Sequence, residues 1–460
     1  MADLGRLVTR LTPSLGHRSA YQDLADALRG LILDGELLAG DVLPPQRTLA
    51  ESLDLSRTTV VAALTLLRAE GYLSSRQGSG TTVRLPPDET DRPDEPARAR
   101  RPDIDLSIAV LPAARQVAAA AVRAADRLPE FLPGSGLQPY GLAPLRSAIA
   151  ARLTGRGLPT TADQVLITQG ALHGWDLLLR TFARPGGGVL VEQPSYPAAM
   201  EAIRMHRARP QPVGVSAEGW QWPSGALRPA DLAYVVPDFQ NPTGYFATDT
   251  DRRALARRLS GLLVCVDETF ADLGDADGPV AAPAACFVRD AVTVGTLSKL
   301  VWAGLRIGWL RGPRDTVNRI AAARASQDIA PPVLDQLLAL ELMPELDAIR
   351  ADRRELLGRR RAHAVDTVRA AGWTTAEPAG GMFLWVDLRG LSSTRLSAAV
   401  RARGVRVPPG TQFSTSRTHD RFLRLPFTGP PAQLSEAVRR MTRAAGDVAA
   451  TTGRTAIWTV

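Results

Sequence analysis

Apolar residues in the first part of the chain repeat with the period of a helix. Leu24, Leu28, Leu31 and Ile32 lie on one face of a helix, because they fall at positions i, i+4, i+7 and i+8. The same spacing recurs after residue 56 and predicts a second long helix there. A shorter apolar pattern at about 48–53 predicts a small helix between the two.

Capping residues and glycines set the predicted ends of these helices. Thr48 is placed to cap the small helix and Ser56 to cap the long one, because a hydroxyl before the first turn accepts from a free backbone N–H. Gly71 ends the long helix, and residues 72–75 and 81–83 predict a hairpin. Helix, tight turn, helix and hairpin together predict a winged helix-turn-helix domain within residues 1–85.

Beyond residue 103 the apolar pattern changes to short continuous runs. Such runs indicate strands buried on both faces of a mostly parallel sheet, with helical stretches such as 172–182 and 252–259 between them. The runs cover residues 189–191, 232–236, 262–266 and 292–294. Residues 104–460 are therefore predicted to form a doubly wound α/β domain, with a smaller subdomain from about residue 340. Residues 86–103, PPDETDRPDEPARARRPD, have no apolar period and predict an extended linker.

Composition narrows the class of protein. The 460 residues are 45% apolar and 22% charged, as in globular proteins, and no run of 18 apolar residues predicts a membrane span. The first ten residues lack the apolar core of a signal peptide, and two cysteines cannot form a disulfide framework. We therefore expect a reduced, cytoplasmic protein. No spacing of His, Cys, Asp and Glu suggests a metal site, and the net charge of +8 suits an anionic partner.

The chain contains a single lysine. Lys and Arg total 55, and only position 299 is Lys. Arg can replace Lys as a surface charge, but a guanidinium cannot lose its proton and form a Schiff base. Lys299 is therefore a candidate for a covalent link to a carbonyl, although the count alone leaves chance survival open.

Polar residues around this lysine meet the needs of pyridoxal 5'-phosphate (PLP). PLP needs a carboxylate facing its ring nitrogen, an aromatic ring over one face, and a helix N-terminus, hydroxyls and a cation for its phosphate. Asp267 ends the strand-like run LLVCVD, and Asn241 and Tyr196 each follow another such run. Gly170 opens a helix after VLIT, and Arg306 lies seven residues beyond the lysine. Most of these positions follow the carboxyl ends of predicted strands, where open α/β sheets place their ligands.

The first domain strongly resembles the GntR class of winged helix regulators, over about residues 20–84. The resemblance is carried by Leu43-Pro44, the run SRTTV at 56–60, EGY at 70–72 and GSGT at 78–81. In such a domain the second helix of the pair enters the major groove with its N-terminal residues nearest the bases. The implied DNA contacts are Arg47, Ser56, Arg57, Thr58, Thr59, Arg76 and Gln77. The alternative is a small helical domain that pairs with another protein.

The block from about 104 to 445 resembles fold-type I PLP enzymes of the aspartate aminotransferase group. The motifs that carry this resemblance are QPYGLAPLR, TQGALHGWDLL, VEQPSYP, PDFQNPTG, VCVDETF, TLSK, GLRIGW and RLPF. With a GntR-like domain before it, the whole chain resembles the MocR family of regulators.

The resemblance implies a role for each matching residue. Lys299 would hold PLP as an aldimine, Asp267 would pair with the ring nitrogen, and Tyr196 would stack on the ring. Asn241 would hydrogen-bond the 3'-oxygen, and Arg424 would bind an α-carboxylate unless it forms a structural ion pair. The phosphate would be held by Gly170, Ala171, Thr296, Ser298 and Arg306, with Tyr140 reaching it from the partner subunit of a homodimer.

One departure from the family concerns the 3'-oxygen. Members commonly have a tyrosine three residues after the aspartate, whereas this chain has Phe270. The sequence favours a PLP-dependent transcriptional regulator that binds operator DNA and senses an amino acid, an amine or PLP itself. Two alternatives stay open: an active aminotransferase with an accessory DNA-binding domain, and a PLP-free regulator with a relic domain.

Overall fold

The computed structural model describes residues 4–11, 19–33, 37, 41–76, 80–84, 103–415 and 418–456. The chain divides into two compact units, Met1–Asp103 with Thr394–Ala399, and Ile104–Ser393 with Val400–Val460. Residues 86–102 of the predicted linker and Gln77 in the wing lie outside the described residues, as does the side chain of Arg76. Within the described part of the chain, no helix has the length and apolar character needed to cross a membrane.

The head, which we define as the described residues between 4 and 84, combines helices with a small antiparallel sheet. Its elements are α1 (Leu4–Leu11), α2 (Ala20–Leu33), β1 (Val42–Leu43), α3 (Gln46–Ser52), α4 (Arg57–Ala69), β2 (Leu73–Arg76) and β3 (Gly80–Val83). The strand order is β1-β3-β2. Apolar side chains from the predicted helix faces form its core, among them Leu24, Leu28, Ile32, Leu64 and Leu67. The winged helix-turn-helix prediction is therefore confirmed.

Local chemistry explains the ends of the head helices, with one correction. Ser56 caps α4, because its hydroxyl accepts from the N–H of Thr59 at 3.0 Å. Gly71 follows the helix with φ of 80°, which glycine adopts without strain. The prediction that Thr48 caps the small helix is wrong. The N–H of Leu49 already bonds to the oxygen of Pro45 at 3.0 Å, so α3 begins two residues before Thr48.

The large domain, which we define as residues 104–393 and 400–456, begins with a run of alternating helices and strands. These are β4 (Ile104–Asp105), α5 (Val117–Arg127), α6 (Ala143–Gly155), β5 (Val165–Thr168), α7 (Ala171–Phe182), β6 (Gly188–Gln193), α8 (Pro197–Met205), β7 (Arg209–Ser216), β8 (Gly219–Gln221), β9 (Leu232–Val235), α9 (Asp249–Arg258), β10 (Leu263–Asp267), β11 (Ala291–Thr296), β12 (Gly308–Arg311) and α10 (Arg314–Arg324).

A second set of elements completes the chain. These are α11 (Val333–Leu342), α12 (Leu346–Ala370), β13 (Thr374–Thr375), β14 (Phe383–Asp387), α13 (Ser393–Arg401), β15 (Val405–Arg406), β16 (Phe422–Pro426) and α14 (Pro431–Ala456). Strands β13, β14 and β16 form an antiparallel sheet in that order, and β15 pairs with β4 in parallel. The subdomain boundary near residue 340 stays a prediction.

An eight-stranded sheet forms the centre of the large domain, in the order β5-β12-β11-β10-β9-β6-β7-β8. The five strands from β11 to β7 run parallel, whereas β12 is antiparallel to both of its neighbours and β8 to β7. Helices α7, α8 and α10 pack on one face and α9 packs on the other. The predicted α/β class with a mostly parallel sheet, buried on both faces, is confirmed.

Candidate functional site

A cavity of about 350 Å³ lies where β9, β10 and β11 end. It brings together every residue that the sequence assigned to the cofactor or the effector, except Tyr140. These residues are Gly170, Ala171, Tyr196, Asn241, Asp267, Thr296, Ser298, Lys299, Arg306 and Arg424. Because β9, β10 and β11 are parallel neighbours, their carboxyl ends meet at one edge of the sheet, and the side chains that follow them converge there.

Lys299 lies shortly after β11, and its side chain lines the cavity. Nζ donates a hydrogen bond to the backbone oxygen of Ala109 at 3.0 Å. Burial and the positive charge of Arg424 lower the pKa of Lys299 from 10.5 to about 8, while the negative charge of Asp267 opposes this shift. A lowered pKa supplies neutral amine near physiological pH, and the neutral amine is the form that attacks a carbonyl.

Asp267 is the last residue of β10 and lies in register with Val294 on β11. One of its oxygens accepts from the N–H of Thr269 at 2.8 Å, and the other accepts from the hydroxyl of Tyr234 at 2.5 Å. Burial raises the pKa of Asp267, and these two donors together with Lys299 oppose the shift. A buried carboxylate in the cavity wall fits the protonated ring nitrogen of PLP.

Gly170 and Arg306 form an anion cradle at the N-terminus of α7. Gly170 precedes the helix with φ of 98°, and a Cβ at this position would lie 2.9 Å from a guanidinium nitrogen of Arg306. Arg306 donates to the backbone oxygen of Gln169 at 2.7 Å, which holds its guanidinium at the start of the helix. The hydroxyls of Thr296 and Ser298 lie 2.9 Å apart and line the same cavity. Helix N–H groups, hydroxyls and a guanidinium together fit a phosphate.

Tyr196 and Phe270 supply aromatic surfaces to the cavity. Tyr196 is half-buried directly before α8, and burial together with the charge of Asp267 raises the pKa of its hydroxyl. Phe270 is buried and packs edge-on against Phe383, with ring centroids 5.4 Å apart. Because Phe270 has no hydroxyl, it cannot donate to the 3'-oxygen of PLP. Asn241, which also lines the cavity, is left as the predicted partner of that oxygen.

Arg424, on β16, is buried in the cavity wall. Its guanidinium donates to the backbone oxygen of Ser107 and, at 3.5 Å, to the side-chain oxygen of Asn241. It also lies over the rings of Phe413 and Phe383, at 5.0 and 5.6 Å from their centroids.

Within the described residues, the guanidinium of Arg424 has no carboxylate partner, so the structural ion pair is not observed there. Its buried Nε has no hydrogen-bond partner in the same part of the chain. Burial lowers the pKa of Arg424 to about 10. A desolvated cation with a free donor, in the same cavity as Lys299, fits a ligand carboxylate.

The chain's own residues therefore fit PLP at each of its polar groups. The amine of Lys299 has a lowered pKa, Asp267 offers a buried carboxylate, and Gly170 leaves room for the guanidinium of Arg306 at the N-terminus of α7. No cluster of residues suited to a metal ion is found in the described part of the chain.

Sequence reasoning missed four residues that contribute to the cavity. Tyr234 donates to Asp267, Trp175 lines the cavity beside it, and the backbone oxygens of Ser107 and Ala109 accept from Arg424 and Lys299. A tyrosine inside a fully buried strand needs a partner for its hydroxyl, so the run LAYVV carried a usable signal for Tyr234. Backbone oxygens leave no signal in the sequence.

Tyr140 and His173 lie outside this cavity. The hydroxyl of Tyr140 donates to Asn318 at 3.2 Å, and its predicted reach into a partner subunit stays a prediction. Nδ1 of His173 accepts from the N–H of Gln169 at 3.0 Å, so this histidine helps to hold the backbone that precedes Gly170 and α7.

Five of the residues assigned to DNA lie at the start of α3 and α4, while Arg76 ends β2 and Gln77 is outside the described residues. Arg57 and Thr58 are exposed and Thr59 is half-buried. The hydroxyl of Ser56 caps the helix and contacts both threonine hydroxyls, at 2.8 and 2.7 Å, so its main role is to fix the helix start. Arg47 is exposed and pairs at 2.9 Å with the glutamate four residues later, a contact that solvent weakens.

Comparisons with known proteins divide the chain at the same place. The family described as aminotransferase class I and II matches residues 101–441. The family described as bacterial regulatory proteins, gntR family, matches residues 20–83.

Similar proteins include both regulators and aminotransferases. The probable rhizopine catabolism regulatory protein MocR of Rhizobium meliloti is 27% identical over 85% of this chain and 86% of its own length. The HTH-type pyridoxine biosynthesis transcriptional regulator PdxR of Corynebacterium glutamicum is 31% identical over 65% of this chain and 68% of its own length. The crystal structure of LysN, the alpha-aminoadipate aminotransferase of Thermus thermophilus, matches with a TM-score of 0.67 and 25% identity, over 76% of this chain and 93% of LysN.

The lowered pKa of Lys299 predicts how covalent attachment of PLP depends on pH. The neutral amine reacts, so the attachment rate should rise about tenfold per pH unit below pH 8 and level off above it. Stopped-flow absorbance after adding PLP to the purified protein measures this rate. In Arg424→Met the rate should level off at a higher pH, because the Arg424 charge that lowers the lysine pKa is gone. A wild-type rate that keeps rising to pH 10 would contradict the assignment.

Proposed function

The chain belongs to the MocR family, in which a GntR-type head precedes a class I and II aminotransferase domain, and from this premise we propose that it is a PLP-dependent transcription regulator. The head binds operator DNA, and the large domain holds PLP and senses an amino compound at Lys299. The observation that carries the sensing role is Arg424, a buried cation that lines the same cavity as Lys299 and has no carboxylate partner in the described residues.

The residues of the cavity divide the work of holding PLP. The cradle at Gly170 and Arg306 takes the phosphate, Asp267 faces the ring nitrogen, and Lys299 supplies the amine for the covalent link. When bound, PLP supplies an electrophilic carbon that reacts reversibly with primary amines. The free amine of Lys299 exchanges its proton near pH 8, and the donors on Asp267 oppose the rise that burial causes in the pKa of that carboxyl.

Lys299 and Arg424, which line the same cavity, support an amino acid as the effector. A ligand that presents an amine near Lys299 and a carboxylate to Arg424 is an amino acid, so we favour an amino acid over a simple amine or PLP itself. A ligand carboxylate paired with Arg424 supplies the negative counter-charge that no described residue of the cavity gives to this guanidinium.

The contacts of Lys299 and Arg424 connect the cavity to the segment that follows the linker in sequence. Ala109 accepts from Lys299 and Ser107 accepts from Arg424. A ligand that engages both cations competes with these backbone contacts. It therefore acts on the segment that is covalently joined, through residues 86–103, to the head. Such signalling requires that the effector bind two states of the protein with different affinity.

Phe270 bears on whether the protein also turns over its ligand. A hydroxyl donor at the 3'-oxygen would tune the acidity of the bound cofactor, and this position has none. We therefore propose sensing as the main activity and transamination as weak or vestigial.

The proposed assembly is a homodimer in the cytoplasm. Two heads suit paired half-sites on operator DNA, and the resemblance implies that the half-buried Tyr140 reaches the phosphate site of a partner.

Removal of the exposed Arg57 side chain should weaken DNA binding without unfolding the head. Arg57→Ala and Arg47→Ala should each raise the dissociation constant about 10- to 100-fold in a gel-shift assay. The probe is a duplex enriched from random-sequence DNA by the wild-type protein. Arg257→Ala removes one exposed charge from α9 and serves as the control that keeps wild-type affinity. Unchanged binding by both head variants would contradict the role of the winged helix.

Spectral titration tests the cavity. The protein with PLP should show an absorbance band on the order of 400–430 nm that Lys299→Ala lacks. α-Amino acids should shift this band and change the affinity for the selected duplex, whereas Arg424→Met should keep the band and respond at least tenfold more weakly. Arg421→Met is the matched control, because its exposed side chain pairs with Asp387 outside the cavity. Equal responses of wild type and Arg424→Met would contradict the proposal that Arg424 binds the carboxylate of the ligand.

Sedimentation velocity at micromolar concentration tests the assembly. We expect a species of twice the chain mass, and Tyr140→Phe should raise the PLP dissociation constant several-fold if its hydroxyl reaches the partner's phosphate site. A monomer under these conditions would overturn the dimer.

A further inference from the structure

The hydroxyl of Tyr234 is fixed against the carboxylate that faces the cofactor. Tyr234 lies inside β9 and is 2% exposed. Its O–H donates to one oxygen of Asp267 at 2.5 Å, while the N–H of Thr269 donates to the other oxygen at 2.8 Å. Both oxygens of Asp267 therefore accept from donors that the fold holds in place.

The sheet places Tyr234 and Asp267 on the same face. Tyr234 lies opposite Cys265 in the parallel register of β9 and β10, and Asp267 is two residues beyond Cys265. Side chains two residues apart in a strand point to the same face, so the phenol reaches along β10 towards the carboxylate. Trp175 packs on the Tyr234 ring at a centroid distance of 4.9 Å, and its own N–H donates to the oxygen of Ala199 at 3.1 Å. This packing leaves the phenol ring little freedom to turn away.

A buried phenol in this position acts as a donor only. Burial and the negative charge of Asp267 raise the pKa of Tyr234, so it keeps its proton throughout the physiological range. A donor hydrogen bond stabilises the ionised form of its acceptor. If Asp267 were protonated, its own O–H would face an N–H or O–H that also donates. Two donors cannot share a hydrogen bond, so the protonated form is disfavoured.

We propose that Tyr234 is a positioning residue that holds Asp267 ionised and oriented towards the ring nitrogen of PLP, and that it thereby sets the pH at which the bound cofactor titrates. This inference rests on the proposed attachment of PLP at Lys299 and concerns the control of that same site. An ionised Asp267 keeps the ring nitrogen protonated. A protonated ring nitrogen withdraws electrons and lowers the pH at which the group bonded to Lys299 loses its proton.

Other ionisable groups also act on Asp267 and must be the same in every protein compared. Lys299, Tyr196, Cys265 and Glu192 all interact electrostatically with it. Glu192, whose pKa burial raises to about 7, is held by Trp220, Gln240 and the N–H of Val236. Substituting only the Tyr234 hydroxyl leaves each of these groups in place.

Tyr234→Phe removes one oxygen and keeps the ring, so it isolates the hydrogen bond. The absorbance of the PLP-loaded protein is followed as a function of pH, with no substrate and no turnover. We expect the absorbance transition to move to higher pH by about one pH unit, and the PLP dissociation constant to rise about tenfold. Asp267→Asn gives the direction of the full effect. Tyr245→Phe is the matched control, because it removes another buried hydroxyl, one bonded to Asp251, outside the cavity.

Replacing Tyr234 by 3-fluorotyrosine supplies an opposite test that keeps the hydrogen bond. A more acidic phenol is a stronger donor, so the transition should move to lower pH. A transition that is unchanged in both proteins, while Asp267→Asn shifts it, would show that Tyr234 only fills space. If the wild-type protein shows no band that depends on Lys299, the proposed cofactor function itself fails, which is a different result from an unshifted transition.

Discussion

The burial of Arg424 in the cavity that holds Lys299 is the electrostatic constraint on which this site depends. Asp267 is the sole carboxylate among the described lining residues, and both of its oxygens already accept hydrogen bonds. A desolvated cation without a counter-ion costs free energy, and the lowered pKa values of Arg424 and Lys299 express that cost. An anionic ligand offsets it, so the site favours groups that carry a phosphate or a carboxylate.

The inner strand of the central sheet that runs antiparallel to its neighbours brings Gly170 and Arg306 together. Strand β12 runs antiparallel between β11 and β5, with Gly308 opposite both Thr296 and Thr168. A Cβ on Gly308 would lie 2.7 Å from the backbone of Gly170, so glycine is required for the two segments to approach. The turn that enters β12 carries Arg306 in the left-handed conformation, with φ of 53°. The anion cradle thus follows from the strand order and from Gly170 and Gly308, and Arg306 completes it.

Much of this could be predicted from the sequence, because the features concerned are local. Continuous apolar runs identify buried strands, and the end of the run LLVCVD places Asp267 at the ligand-binding edge, while Lys299 stands out as the single lysine of the chain. The start of α3 was predicted too late, because the hydroxyl of Thr48 was read as the cap, whereas Pro45 is the residue that precedes the helix. The contacts of Tyr234 and Ser107 could not be predicted, because they join segments that are 33 and 317 residues apart in sequence.

The two sides of the cofactor site differ in polarity, and the difference bears on function. On one side, Asp267, which we propose would face the ring nitrogen, accepts from two fixed donors. On the other side, Phe270 packs against Phe383, and the Phe383 ring in turn lies beneath the guanidinium of Arg424. A hydroxyl on residue 270 would need a partner close to this apolar contact. The Phe270 and Phe383 pair therefore packs beneath Arg424, the cation that we propose binds a ligand carboxylate. The same pair leaves residue 270 without a hydroxyl that could donate to the 3'-oxygen. A buried cation held by aromatic rings, with no hydroxyl donor at residue 270, suits the binding of a ligand carboxylate.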